Sequence, residues 1–401
     1  MPASPSRRSS LFLAIVLSGA LTACGGGTDS APATAATVTS FTPSAALGEK
    51  IYNDVSLSAS GRQSCATCHS PDHAHGPTND LAVQLGGANG DVPGFRASPS
   101  LRYMQQTPAF HFEADGTPVG GFDRDGRART LAEQAERPFL APHEMANLGK
   151  ADVVARLKSA PYAAQFRATF GDNIFDNVDQ ALSRAQFALQ QFENEDPRFH
   201  PFDSKYDLFL AGKVTLSDAE LRGLALFNDP AKGNCAACHP SARGADGSAP
   251  LFTDFSYDNL GVPRNTRIPA TQDPTYFDLG LCGPDRTDLA ARTDLCGAFK
   301  VPTLRNVAVS APYFHNGKFA TLLEVVRFYV RRDTNPDEWY PLDPATGLPR
   351  KFDDLPPEFA ANVNTTEPPY DRSPGDLPAL SEPEIQDVVA FLQTLTDGFT
   401  Q

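Results

Sequence analysis

Methionine is scarce in this chain: Met1, Met104 and Met145 are the only three in 401 residues, and the C-terminal half has none. Tryptophan is scarcer, with Trp339 alone. Basic residues are outnumbered, 34 Lys and Arg against 48 Asp and Glu, and the formal net charge is −14. They do not cluster. The basic footprint that holds nucleic acid is therefore missing, and no nucleic-acid partner is expected. An acidic surface steers basic protein partners instead. Long apolar runs are also lacking after the first few dozen residues, so nothing in the body of the chain is fit to cross a bilayer. Strand-type alternation is rare, which argues against a sandwich or barrel.

The N-terminus does carry one apolar run. Arg7 and Arg8 precede LFLAIVLSGAL, followed by LTAC ending at Cys24. A charged start, a short apolar core and small residues at its end make an export signal rather than a spanning helix. Small residues before a cysteine resemble a lipobox, with Cys24 as the lipidated first residue; plain secretion with a coincidental cysteine is the alternative. Residues 1–23 are thus expected as a lipoprotein-type signal peptide. Residues 24–44, rich in Gly, Ala, Ser and Thr, read as a flexible tether. The chain is expected in the periplasm, leashed to the outer membrane, with a lipid anchor as its one membrane contact.

Seven cysteines sort into groups. Cys65 and Cys68 sit in CATCH, and Cys235 and Cys238 in CAACH. Cys-x-x-Cys-His places two thiols to add to the vinyl groups of one haem, with the next histidine, His69 or His239, on the iron. One such match could be chance, a redox dithiol or half a zinc site. Two matches in an exported chain point to two covalent c-type haems, since zinc gives no reason for both histidines. Cys282 and Cys296 flank a polar loop and suit a disulfide in an oxidising compartment, with free thiols as the alternative.

The two halves resemble each other beyond these motifs. Gly48-x-x-Ile51-Tyr52-Asn53-Asp54 answers Gly223-x-x-Leu226-Phe227-Asn228-Asp229. Pro99-Ser100-Leu101-Arg102 answers Pro302-Thr303-Leu304-Arg305, and Pro108-x-Phe110-His111 answers Pro312-x-Phe314-His315. Thr130-Leu131-x-Glu133 answers Thr321-Leu322-x-Glu324. Four matches in one order predict duplication of a one-haem unit. The expected architecture is mainly α: two tandem cytochrome-c-like haem domains, 45–205 and 206–401, with long loops. Residues 243–298 and 333–380 are those loops, wrapped round haem edges. Ser217-x-x-Glu220 and Ser381-x-x-Glu384 are capping boxes that open helices. Residues 151–194 read as helices with Val153, Val154, Leu157, Ala181, Phe187 and Leu189 as apolar positions.

In the segment APYFHNGKFATLLEVVRFYV, Leu322, Val325, Val326 and Tyr329 share one helix face. Tyr329 therefore points inward, ordinarily to pack. The repeat sets it opposite Pro138, which has no ligating atom. One haem would keep an open face and the other would meet a phenol.

The segments GGFDRDGRARTLAEQAERPFLAPHEMAN (120–147) and FKVPTLRNVAVSAPYFHNG (299–317), with the two haem motifs, resemble the bacterial dihaem cytochrome c peroxidase and MauG superfamily. The likeness runs from about Ala45 to Gly398. It implies a high-spin haem 1 on Cys65, Cys68 and His69 that meets hydrogen peroxide, and a low-spin haem 2 on Cys235, Cys238 and His239 that passes electrons. Gln134 and Glu144 map onto the family's distal pair. Such a pair suits O–O cleavage, with Glu144 shuttling the proton and Gln134 holding the peroxide. His143 is expected at the surface or behind Glu144.

Departures from the family pattern are also visible. The segment corresponding to Gln84–Arg96, where many such peroxidases carry a removable distal histidine, has none. His73 and His75 lie too close to His69 in sequence to be favoured for that role. Tyr329 stands where peroxidases have methionine and MauG has tyrosine. Arg124 stands where the family places an inter-haem tryptophan. The family's calcium site is matched in part, at Ser310 and Pro312, while Ala97 replaces an amide ligand. The implied partners are peroxide and either a small donor protein, a cytochrome c or cupredoxin, or a protein substrate. A dihaem electron carrier is the non-catalytic alternative. A dimer is compatible with the pattern.

Overall fold

The computed structural model describes residues 40–400. The signal segment, Cys24 and nearly all of the tether lie outside the described residues. The helices in chain order are α1 (Pro43–Asn53), α2 (Cys65–Cys68), α3 (Leu131–Gln134), α4 (Glu136–Leu140), α5 (Lys150–Ser159) and α6 (Ala163–Phe170). There follow α7 (Val178–Glu195), α8 (Lys205–Leu210), α9 (Asp218–Asn228), α10 (Leu322–Arg331) and α11 (Glu382–Gln393). Sheet among the described residues is confined to three two-residue antiparallel ladders: β1 (Leu85–Gly86) with β2 (Val92–Pro93), β3 (His111–Phe112) with β4 (Pro118–Val119), and β5 (Tyr257–Asp258) with β6 (Phe299–Lys300). The protein is mainly helical.

Two hydrophobic cores are built on one plan. In the first, α1 starts at a Thr42 cap whose hydroxyl accepts from Ala45 N, with Pro43 in its first turn. α7 presents Ala181, Leu182, Ala185, Ala188, Leu189 and Phe192 inward. The alanines let α1 approach so closely that a β-carbon on Gly48 would collide with the Ala188 carbonyl. Phe187 differs from expectation. It lies half-exposed beneath the Arg184 guanidinium, because the helical period turns Leu182, Ala185 and Leu189 to the core in its place.

In the second core, α9 and α11 cross in the same manner, and a β-carbon on Gly223 would meet the Asp387 carbonyl. Both helices open with capping boxes, Ser217 with Glu220 and Ser381 with Glu384. Phe227, Phe391, Ile385 and Val388 are sealed between them. Neither glycine has room to spare. Gly48→Ala or Gly223→Ala is expected to destabilise the fold by about 1–3 kcal/mol, the usual cost of overpacking, read as a lower unfolding midpoint with both haems retained.

Ion pairs and backbone contacts tie the segments carrying these cores together. Arg96 bridges Asp125 and Asp278, Arg102 pairs with Asp397 at 3.0 Å, and Tyr257 Oη donates to Gly120 O at 2.6 Å. Arg305 forks onto Asp207 at 2.8 and 2.9 Å, fully enclosed. No helix among the described residues is long and apolar enough to cross a membrane.

Two candidate haem cavities

Each Cys-x-x-Cys-His segment lines its own cavity. Cys65, Cys68 and His69 border a cavity of about 200 Å³. Cys235, Cys238 and His239 border a larger, mostly apolar one of about 320 Å³. The four thiols therefore do not converge, which removes the zinc alternative. None is oxidised to a disulfide. Burial pushes the thiols up to about 12 at Cys65, Cys235 and Cys238 and about 11 at Cys68. A redox dithiol needs the opposite shift.

The histidines are oriented for metal. His69 N donates to Cys65 O at 2.9 Å, closing the turn of α2, and its Nδ1 lies 3.0 Å from Pro99 O. A carbonyl can only accept, so Nδ1 carries the proton and Nε2 keeps its lone pair for an iron. His239 repeats this, with Nδ1 2.7 Å from Phe252 O and N donating to Cys235 O. Tyr52 Oη also donates to His69 O. Thiols, histidine tautomer and cavity together fit one covalent haem in each half.

The open face of the first cavity is made by α3, α4 and the turn after them. Thr130 caps α3 by accepting from Glu133 N, and this sets Gln134 and Pro138 on the cavity wall. Glu144 follows, bordering the same cavity. Its side chain is 38 % exposed, yet surrounding protein still desolvates it enough to push its carboxyl up to about 7. The Arg137 guanidinium opposes that rise. His143 is not a remote surface residue: it borders the cavity, with Nε2 3.5 Å from Glu144 Oε1 and Phe95 edge-on at 4.8 Å. Gln134 Nε2 lies 3.4 Å from Asp123 Oδ1.

Neither His75 nor His111 borders this cavity. The His75 carbonyl lies 3.3 Å from His69 Nδ1, and its ring stacks on Phe199 at 3.8 Å, on the proximal side. His111 is exposed beside Glu113 and does not border the cavity.

In the second cavity α10 brings Leu322, Val325, Val326 and Tyr329 to the wall. Thr321 caps it and Glu324 completes the capping box. Burial raises the Tyr329 phenol above its usual range, so without a metal it stays protonated. Tyr370 lies beside it, rings 5.9 Å apart, with the Arg332 guanidinium 4.4 Å over Tyr370. Pro138 and Tyr329 thus occupy corresponding walls of the two cavities.

Arg124 borders both cavities. Its Nε and Nη2 donate to Ala97 O at 3.1 and 2.9 Å. That carbonyl is therefore already used, and Ala97 has no side-chain oxygen to offer a calcium ion. Ser310 and Pro312 border the haem 2 cavity, and the Ser310 hydroxyl is spent on Asn306 O at 2.7 Å. Cys282 and Cys296 are joined in a disulfide. The loop it closes carries Asp285 to Arg137, 2.8 Å away, on the rim of the haem 1 cavity.

Several cavity residues escape sequence reasoning. Glu193 borders the haem 1 cavity with Oε2 unpartnered, and burial pushes its carboxyl up to about 8. A carboxylate on the apolar stripe of α7, four residues after Leu189, was its available signal. Asp285 and Tyr370 had none, because long loops bring them in.

Sequence comparison places the chain among known proteins. Residues 42–215 match the family described as di-haem cytochrome c peroxidase. The methylamine utilization protein MauG of Paracoccus denitrificans is 37% identical over 360 residues, covering 88% of each chain. The chain belongs to the di-haem cytochrome c peroxidase and MauG family. The cytochrome c551 peroxidase of Nitrosomonas europaea is 30% identical over 73% of this chain and 76% of its own. Among solved structures, the diheme peroxidase BthA of Burkholderia thailandensis superposes with a TM-score of 0.81 at 38% identity, covering 90% of this chain and 88% of that one. This di-haem protein is accordingly an oxidoreductase of the cytochrome c peroxidase type with two haem c groups.

Proposed function

We propose that the protein reduces hydrogen peroxide to water in the haem 1 cavity, with electrons delivered through haem 2 by a small periplasmic cytochrome c or cupredoxin. Each peroxide consumes two electrons and two protons and yields two waters. The observation that carries this is the grouping of Glu144, Gln134 and Pro138 on the wall of the cavity that also holds His69. The haem bound there supplies the iron centre at which the O–O bond is broken.

The chain supplies the rest. Pro138 keeps the distal face free of a protein ligand. Gln134 offers an amide to hold the peroxide. Glu144 takes a proton from the inner oxygen and returns it to the outer one, which becomes the leaving water. A carboxyl near pH 7 suits a group that must both accept and give. Arg137 lowers that value, so Arg137→Gln should move the acidic limb of the kcat/KM profile to higher pH. A stopped-flow pH series on both proteins checks this. An export signal and lipobox would place the enzyme in the periplasm on an outer-membrane anchor.

A second reading is favoured by Tyr329 on the haem 2 wall: peroxide-driven oxidation of residues on a partner protein, as a MauG-like role would require. Turnover of peroxide with reduced cytochrome c supports the first reading. Peroxide consumption only with a partner protein, which emerges covalently altered, supports the second. Low-temperature EPR of the ferric protein is expected to show one high-spin and one low-spin haem. Two low-spin signals would contradict an open haem 1, and a protein whose haem spectra ignore peroxide would be an electron carrier.

A further inference from the structure

Two half-buried cations on the walls of the haem cavities, Arg124 and Lys300, form no ion pair with a carboxylate among the described residues. Of the cationic side chains bordering the haem 1 cavity, Arg96 pairs with Asp125 at 2.8 Å and Asp278 at 2.6 Å. Arg127 pairs with Asp123 at 3.2 Å and Asp125 at 2.7 Å, and Arg137 pairs with Asp285 at 2.8 Å. Arg124 alone has no carboxylate. Of those bordering the haem 2 cavity, Arg305 is matched by Asp207, while Arg124 and Lys300 are not. Arg124 spends Nε and Nη2 on one carbonyl, leaving Nη1 unused by the protein. Lys300 Nζ donates to Gly121 O and to no acid.

Uncompensated charge enclosed by protein is costly, and natural structures pair it. Burial indeed pushes Lys300 down to about 8 and Arg124 down to about 10, as expected of cations waiting for an anion. Every haem brings two carboxylates, its propionates, into cavities whose remaining cations are already paired. A guanidinium with free N–H groups and an ammonium are the natural acceptors of such carboxylates.

We propose that Arg124 and Lys300 form a carboxylate-binding site for the haem propionates, with Arg124 at the junction of the two cavities serving both haems and Lys300 serving haem 2. The proposal rests on the cavities holding the haems, and deepens that reading by naming what anchors each ring edge. Arg124 then acts as a fixed cation between the haems, holding their charge balance.

The test is spectropotentiometry of the holo-protein, with haem content measured on each variant so that loss of haem is read separately. Lys300→Gln is expected to shift the haem 2 midpoint to more negative values, leave haem 1 in place, and make the haem 2 midpoint pH-dependent near neutrality. Arg124→Gln should shift both haems. Arg124→Lys and Lys300→Arg, which keep the charge, should restore the original potentials. In the unaltered protein the resonance Raman propionate-bending bands should move in D2O, since the carboxylates would take hydrogen bonds from exchangeable N–H groups. That measurement needs no variant. Bands indifferent to D2O, or potentials indifferent to both glutamine variants, overturn the proposal. Midpoints of the unaltered protein that track added acetate would assign the site to a free carboxylate, and overturn it too.

Discussion

Glu144→Gln is expected to lower peroxide turnover about 10²–10⁴-fold, the usual contribution of a positioned acid–base group, while both haems stay bound. Glutamine keeps the shape of the side chain and removes the proton shuttle. The pH dependence makes the assignment specific. Burial holds the Glu144 carboxyl at about 7, well above an ordinary glutamate, against the pull of Arg137. The base must be ionised to accept the first proton, so kcat/KM of the unaltered enzyme should climb as pH rises through about 7. In Glu144→Gln that limb should vanish, leaving a low, flat profile. Cyanide binding to ferric haem 1 should survive, which separates lost proton transfer from a collapsed cavity. A residual rate with the original limb would move the role to another acid, and Glu193, about 8 and unpartnered on the same cavity, would be the first to replace.

Tyr329→Met should change haem 2 and leave haem 1 alone. A phenolate favours the higher iron oxidation state, whereas methionine with histidine raises the potential. Axial ligands set haem potentials across a span of about 0.8 V, so an upward shift on the order of 0.1 V or more is expected at haem 2. The phenol is raised by burial, so it would stay protonated unless a metal displaced the proton, and the iron of haem 2 would be the group to do so. The C-terminal half has no methionine of its own to intervene. An unchanged haem 2 spectrum in Tyr329→Met would return Tyr329 to packing, where its contacts with Phe314 at 5.9 Å and Tyr370 would be its whole purpose. Tyr370→Phe is the companion control: it removes a neighbouring phenol without touching α10.

The sequence alone determined the covalent chemistry of this protein. Cys65, Cys68 and His69, and their counterparts at 235–239, sit within five residues of one another, so their meaning is local and needs no fold. The helix faces were legible for the same reason. Gly48 and Gly223, Thr130 and Thr321, and Pro138 and Tyr329 repeat at readable spacing, and the structure puts each pair in corresponding surroundings. Phe187 shows the limit of that reading, since a one-residue shift of phase moves a side chain from core to rim. The charge distribution at the cavities was decided only by tertiary structure. Asp285 reaches Arg137 from a distant loop, Asp278 reaches Arg96 across 182 residues of chain, and Arg124 is left without an acid because both neighbouring aspartates are already taken. Pairing of this kind depends on which backbone loops cross in space, and no periodicity or motif encodes it. The two haem-binding motifs were therefore visible in the sequence, while the electrostatic setting of their cavities emerged only when the loops closed round them.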